Sequence, residues 1–329
     1  MLITALCLGL LAIVLAWPVP VLLARAAWPA GSPGVALVLW QSIALAGGLA
    51  MIGALFVDGL IPFGANPVAG IRSLADHLVT GSVPAGTSLD HVLALCGALL
   101  LGGHLVLNLV VTIVHAERQQ RRHLNLVRLL SEPLEGRPST RVIDHAAPVA
   151  YCLPSVTHSA TVLSRGLLSL LDAGQVLAVV AHEEAHLAQR HHLVLVAFKS
   201  WHNALPWFPI ANRAENAVAL LVEMLADDQA RRAVGDHTLA AAIALVGSAG
   251  LDRAQLDRAQ IDRVQGPQSP TETADAAAFV SRDRPVDLVT PRVRRLLTPP
   301  PRLSAAASVA VIGSAAALLV LPALLLAQA

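Results

Sequence analysis

The sequence predicts a mainly α-helical integral membrane protein with four spans and one polar segment between the third and fourth. Three observations carry this. Hydrophobic residues make up 55% of the 329 residues and charged residues only 14%, against about 25% charged in an average soluble domain. Stretches 1–24, 26–57, 91–116 and 303–329 contain no Asp, Glu, Lys or Arg, apart from the break at Arg25. Each is long enough for the roughly 20 apolar residues that a spanning helix needs.

The spans are expected at 2–23, 35–57, 91–114 and 305–327, so residues 1–116 hold three of them and 303–329 the fourth. The first run lacks the positive start of a signal peptide and is longer than a usual signal core, so it reads as a span. Orientation follows from arginine, because Lys199 is the single lysine. Arg118, Arg121, Arg122 and Arg128 follow the third span, and Arg292, Arg294, Arg295 and Arg302 precede the fourth. The positive-inside rule then places residues 117–302 in the cytoplasm, both termini outside, and the chain in the plasma membrane as a multi-pass protein. The lipid bilayer is thus its first expected partner.

Composition excludes several classes. A formal net charge of +1 argues against direct nucleic-acid binding, which shows a basic excess. High hydrophobicity excludes disorder. Three cysteines, Cys7, Cys96 and Cys152, cannot build a disulfide framework. The third span carries His104, Asn108, Thr112 and His115 on one stripe, read either as interhelical hydrogen bonding or as a functional line. The glycines of the spans, Gly47, Gly48, Gly53, Gly102 and Gly103, either allow close helix approach or reflect composition. Oligomeric state is left open, a homo-oligomer included.

Within 117–302, residues 117–131 continue the third span as a charged helix, which Glu132-Pro133 and Gly136-Arg137-Pro138 break. Two β-like stretches, 149–153 and 160–163, suggest a hairpin, and 167–171 a short apolar turn. Asp172 with Gln175 forms a capping-box pattern. The run 175–198 has no Pro or Gly and predicts one long helix. A second is predicted over 211–234, with Gly235 as its stop. Residues 251–265 repeat LDRAQ, LDRAQ, IDRVQ. With 266–288 they read as a solvated linker helix and loop.

The chemistry lies in His182-Glu183-Glu184-Ala185-His186. Two histidines four apart on a helix present both imidazoles on one face, suited to one tetrahedral Zn²⁺. Glu183 neighbours that face and can serve as general base. Catalytic zinc takes a third protein ligand. Glu223 supplies it, and Asp227, one turn on, can hold the second N–H of a ligand histidine. Glu184 points elsewhere and reads as solvated or salt-bridged. His191 and His192 are poorly placed for the same ion on a straight helix and read as polar face or supporting shell. Trp201, Trp207 and Phe208 read as bilayer-interface or core aromatics.

The stretch YCLPS…ATVLSRGLLSLLDAGQVLAVVAHEEAHLAQRHH, then PWFP and EMLAD, resembles the membrane gluzincin metallopeptidases over about residues 90–300. Two branches share the pattern: the bacterial β-lactam sensor-transducer (antirepressor) peptidases, and the CAAX-prenyl and heat-shock membrane proteases. The resemblance implies a zincin-like domain with a small sheet, one catalytic zinc ion held by His182, His186 and Glu223, and Glu183 as catalytic base. It also implies that Thr161, Val162, Leu163 and Ser164 form the edge strand that receives an extended substrate. Arg292 in TPRVRRLL resembles a late arginine motif of these families. Three spans, a cytoplasmic protease domain, a fourth span and PWFP match the sensor-transducer layout, whose peptidase inactivates a DNA-binding repressor. A protein substrate of that kind is therefore the expected partner. A penicillin-type site needs Ser-x-x-Lys, but Val196 stands three residues before the only lysine. The expectation is a relative lacking the penicillin-binding sensor. Two other readings are a quality-control protease for membrane proteins and a catalytically silent sensor or adaptor.

Overall fold

The computed structural model describes residues 1–134, 136–154, 159–205, 209–249 and 287–327. The repeat at 251–265, the following loop, and Trp207 and Phe208 lie outside the described residues. The protein is mainly helical with one small sheet. Among the described residues, four helices or helix pairs are long and apolar enough to cross a membrane: Leu2–Arg25, Pro33–Phe63, Leu89–Leu130 and Ala305–Ala327. The chain divides into two units, Met1–His115 with Leu195–Leu221 and Pro301–Ala329, and Ala116–Val194 with Val222–Pro300.

In the first unit, the first apolar run is two helices, α1 (Leu2–Ala16) and α2 (Pro18–Arg25), broken at Trp17. Pro18 has no N–H to continue α1 but suits the first position of a new helix. After a single turn, α3 (Trp28–Gly31), comes α4 (Pro33–Leu60). Ala5 and Leu8 of α1 pack with Ala50 and Val57 of α4, joined by Leu325 and Leu326. Helix α5 (Pro67–Thr80) is capped by Asn66, whose side chain accepts from Ala69 N. Helix α6 (Leu89–Leu130) follows. The glycines serve close approach at particular places. A Cβ on Gly59 would lie 2.5 Å from Leu95, and one on Gly48 would lie 2.5 Å from Trp201. Gly103 has nothing within 4 Å. The polar stripe of α6 is used between helices in part: His104 Nε2 lies 3.1 Å from the Ala204 carbonyl. Thr112 Oγ1 donates to Asn108 Oδ1 over 3.2 Å.

In the second unit the charged end of α6 leads into a four-stranded sheet: β1 (Ser131–Leu134), β2 (Arg137–Ile143), β3 (Ala150–Leu153) and β4 (Ala160–Ser164). The order is β1-β2-β4-β3. β1–β2 and β3–β4 are antiparallel and β2–β4 is parallel. The Pro- and Gly-containing segments at 132–138 do end the helix, but they also carry strands, which the breaker reading missed. β4 is buried on both faces because its side chains alternate. Val162 packs with Leu124 and Val127 of α6. Leu163 packs with Leu167 of α7 (Arg165–Leu170), with Leu171, and with Val180 of α8 (Ala173–Ala188).

That topology corrects the edge-strand expectation. Thr161, Val162, Leu163 and Ser164 lie in β4, which is hydrogen-bonded to β2 on one side and β3 on the other. A strand with both ladders filled has no backbone groups left for a substrate. Ser164 is also occupied, its Oγ accepting from Val149 N and Leu167 N and donating to the Ala147 carbonyl. No described strand pairs with the outer side of β3.

The capping box forms as the pattern predicts, with Asp172 Oδ1 accepting from Gln175 N at 2.8 Å and Gln175 Oε1 accepting from Asp172 N at 3.1 Å. The single long helix predicted over 175–198 is instead two. α8 stops at Ala188, Arg190 takes φ +50°, and α9 (His191–Ala204) starts anew. The second predicted helix is α10 (Pro209–Ala230), ending one turn before Gly235. The last elements are α11 (residues 236–249), α12 (Val289–Leu297) and α13 (Ala305–Ala327). Ala178, Ala230, Leu239, Ala242 and Leu296 form the core that fixes α8, α10, α11 and α12 together.

Candidate metal centre

Helix α8 turns His182 and His186 toward α10, and i,i+4 spacing on α10 aligns Glu223 with Asp227. The structure brings all four together, with Glu183. His182 Nε2 is 3.1 Å from His186 Nε2. Glu223 Oε2 is 3.3 Å from His182 Nε2, and its Oε1 is 3.5 Å from His186 Nε2. One donor atom from each of the three residues fits within 4.8 Å of the others.

That donor set fits zinc. Tetrahedral ligands about 2.0–2.1 Å from an ion sit roughly 3.3 Å apart, which is the spacing seen. Two imidazole nitrogens and a carboxylate oxygen facing one point need a cation or protons between them. Protons fill the role in the absence of a metal. Burial pulls His182 down, but hydrogen bonds to Asp227 and Glu223 outweigh it and raise the group to about 9. Burial takes His186 down to about 4, only partly opposed by the charge of Glu223. Burial pushes Glu223 up, yet the His182 hydrogen bond and the Arg292 charge bring it to about 2.

Around these atoms lies a second ring. Asp227 Oδ1 accepts from His182 Nδ1 at 3.0 Å and is itself almost wholly buried. A carboxylate there fixes the tautomer that leaves Nε2 with its lone pair facing the site. His191 Nδ1 stands 3.1 Å from His186 Nδ1. Glu184 is exposed and paired with Arg137 at 3.7 Å, as its position on the helix suggested.

Two neighbours carry more weight than spacing indicated. Arg292 on α12 reaches Asp227 with Nε and Nη2 and Glu223 with Nη1. Its only sequence signal was the late TPRVRRLL motif. Cys152 on β3 lies near Glu183, and burial, with the charge of that carboxylate, pushes its thiol up to about 12. Burial and the Glu223 charge raise Glu183 above the ordinary carboxylate range, partly offset by the charge of His182. Nothing in composition marks Cys152, since contact between β3 and α8 is a tertiary fact.

Chemically, the arrangement is two histidines and a carboxylate converging on one point, with a second carboxylate beside it. No curated protein and no solved structure matches the chain. Residues 115–255, which include His182, Glu183, His186 and Glu223, match the model of Peptidase family M48, and this supports a metallopeptidase domain of the membrane gluzincin type.

Proposed function

We propose that the protein is a membrane-bound zinc endopeptidase, and that His182, His186 and Glu223 hold one zinc ion while Glu183 is the catalytic base. The convergence of the three donors beside Glu183 carries the reading. Bound zinc supplies a Lewis acid that polarises a carbonyl and makes water easier to deprotonate. Glu183 takes the proton of the attacking water and passes it to the leaving amine. A raised affinity for protons, from burial, suits that exchange. Asp227 keeps the His182 ring in place, and Arg292 neutralises the carboxylates that would otherwise lie buried side by side.

An extended substrate docks on β3, not β4. β3 packs on α8, its Cys152 is close enough for the Glu183 charge to raise the thiol, and its outer side is unpaired among the described residues. Strand addition supplies main-chain hydrogen bonds without requiring a particular sequence. The finer reading has the peptidase domain in the cytoplasm, as the arginine pattern favours, and its substrate a DNA-binding repressor. The three-plus-one layout of spans supports that reading.

The test compares protein N-termini in cells carrying the wild type or Glu183→Gln, with and without envelope stress. One new, Glu183-dependent N-terminus in a repressor is expected. Many such termini across damaged membrane proteins would favour quality control. Equal cleavage by Glu183→Gln, with zinc retained, removes Glu183 from the mechanism.

A further inference from the structure

We infer that His191, backed by Gln189, is a positioning residue that fixes the tautomer of His186 and so presents His186 Nε2 to the metal. The inference rests on the reading of His186 as a zinc ligand. On a continuous helix the residue five positions past His186 would be rotated by about 140° from it, out of reach of its ring. The chain prevents this. α8 ends at Ala188, and Arg190 adopts φ +50°, a left-handed conformation that a side chain with Cβ resists. Such strain persists where surrounding structure over-determines it. Its effect here is to fold His191 back onto His186.

The contact is specific. The two Nδ1 atoms are 3.1 Å apart, and the rings stand nearly perpendicular, at 85° with centroids 4.9 Å apart. His191 is 2% exposed. Its other nitrogen, Nε2, lies 3.0 Å from Gln189 Oε1. A carboxamide oxygen only accepts, so Nε2 of His191 carries the hydrogen. Neutral imidazole then has its lone pair at Nδ1, and that lone pair accepts from His186 Nδ1–H. His186 is left with the lone pair on Nε2, the nitrogen 3.1 Å from His182 Nε2 and 3.5 Å from Glu223 Oε1. Each of the two histidines thus has its own Nδ1 partner, Asp227 for His182 and His191 for His186. The first is a carboxylate, whose value sequence spacing suggests. The second is reached only through the broken helix.

The test measures zinc affinity of the full-length chain in detergent by competition with a chromophoric chelator. Thermal unfolding of the metal-free protein checks the fold. His191→Ala is expected to weaken zinc binding about 10–100-fold, the usual effect of removing such a partner. His191→Asn, whose oxygen accepts from His186 Nδ1–H, is expected to restore affinity to within a few-fold. Arg190→Gly, free to adopt the same φ, is expected to bind zinc as the wild type does. Wild-type affinity in His191→Ala overturns the inference. So does a loss in His191→Asn equal to that of His191→Ala when both unfold like the wild type. If His191→Ala does not fold, the exposed end of the relay decides. Gln189→Ala should then lose several-fold in affinity, and an unchanged value overturns the relay. A wild type that binds zinc but cleaves no peptide removes the peptidase reading and leaves the relay standing. A working peptidase whose zinc affinity ignores His191 does the reverse.

Discussion

Arg292 forks onto Asp227 through two hydrogen bonds, Nε to Oδ2 at 2.8 Å and Nη2 to Oδ1 at 2.7 Å, while its Nη1 holds Glu223 Oε2 at 2.8 Å. One guanidinium therefore joins two carboxylates, on the residues expected to hold the metal and to orient His182. Three of its nitrogens are used at once, a geometry only a planar fork supplies.

Removing that fork leaves buried carboxylates with less compensation. Arg292→Ala is expected to destabilise the metal-free protein by about 3–5 kcal/mol, the usual cost of breaking one side of a buried ion pair. The loss should be smaller in the zinc-loaded protein, because the ion supplies positive charge to Glu223. Arg292→Lys should recover only part, since an ammonium is a point charge and not a fork. Denaturant unfolding with zinc and with chelator checks this. Equal losses in both states would show that Arg292 does not share the charge of the metal site.

Protons and zinc compete for the same lone pairs, and His182 sets the range. With its pKa raised to about 9 in the metal-free protein, His182 is protonated at neutral pH and must release that proton to bind metal. Zinc affinity should therefore climb about tenfold per pH unit up to about pH 9, then flatten. The climb should steepen below about pH 4, where His186 also takes a proton. The sign for folding is opposite. A histidine raised on folding contributes stability below its unfolded value near 6.5, and this is lost as pH rises through about 9. Melting of the chelator-treated protein should accordingly fall between pH 6.5 and 9. A rise over that interval would contradict the His182–Asp227–Glu223 arrangement.

The β3 edge yields a kinetic prediction. Ser164 N bonds the Val149 carbonyl, and Tyr151 pairs with Val162 and Leu153 with Ala160. By alternation the backbone groups of Ala150 and Cys152 point outward. Proline is tolerated on the open side of an edge strand, so Ala150→Pro should fold while losing one outward donor. One net hydrogen bond is worth about 0.5–1.5 kcal/mol, so kcat/KM for an extended peptide should fall by roughly 2–13-fold, with zinc affinity unchanged. Steady-state kinetics with a peptide substrate reads this directly. Wild-type kcat/KM in a folded variant would place the substrate elsewhere.

Much of this architecture was legible because it rests on local rules. Charge-free runs marked the four apolar helices, Asp172 and Gln175 marked the start of α8, and His182, His186, Glu223 and Asp227 were set by helical spacing. What escaped was non-local. β4 reads as a strand in the sequence, but its place at an edge came only from the resemblance, and a strand buried on both faces reads the same at an edge or in the middle of a sheet. The helix break at Arg190 is invisible because arginine is a good helix former; the left-handed turn is imposed by tertiary contacts. Arg292 is 65 residues from Asp227, and no periodicity connects them.

The final prediction concerns the packing of the first unit. Trp201 lies in Leu195–Leu221, which groups with the first unit, and its ring rests against Gly48 of α4. A Cβ on Gly48 would sit 2.5 Å from Trp201 Cη2 and 3.2 Å from Cζ3. A half-buried indole seated on α4 cannot yield by so much without repacking, so Gly48→Val should cost about 1–3 kcal/mol through overpacking. Gly103→Ala on α6 is the control. It is also a glycine of a long apolar helix, but its added methyl meets nothing within 4 Å, and alanine is the better helix former by about 1 kcal/mol. Thermal unfolding of the two variants in the same detergent should therefore move in opposite directions. If both were tolerated equally, the small residues of these helices would reflect composition alone and not a close approach of α4 to the Trp201 ring.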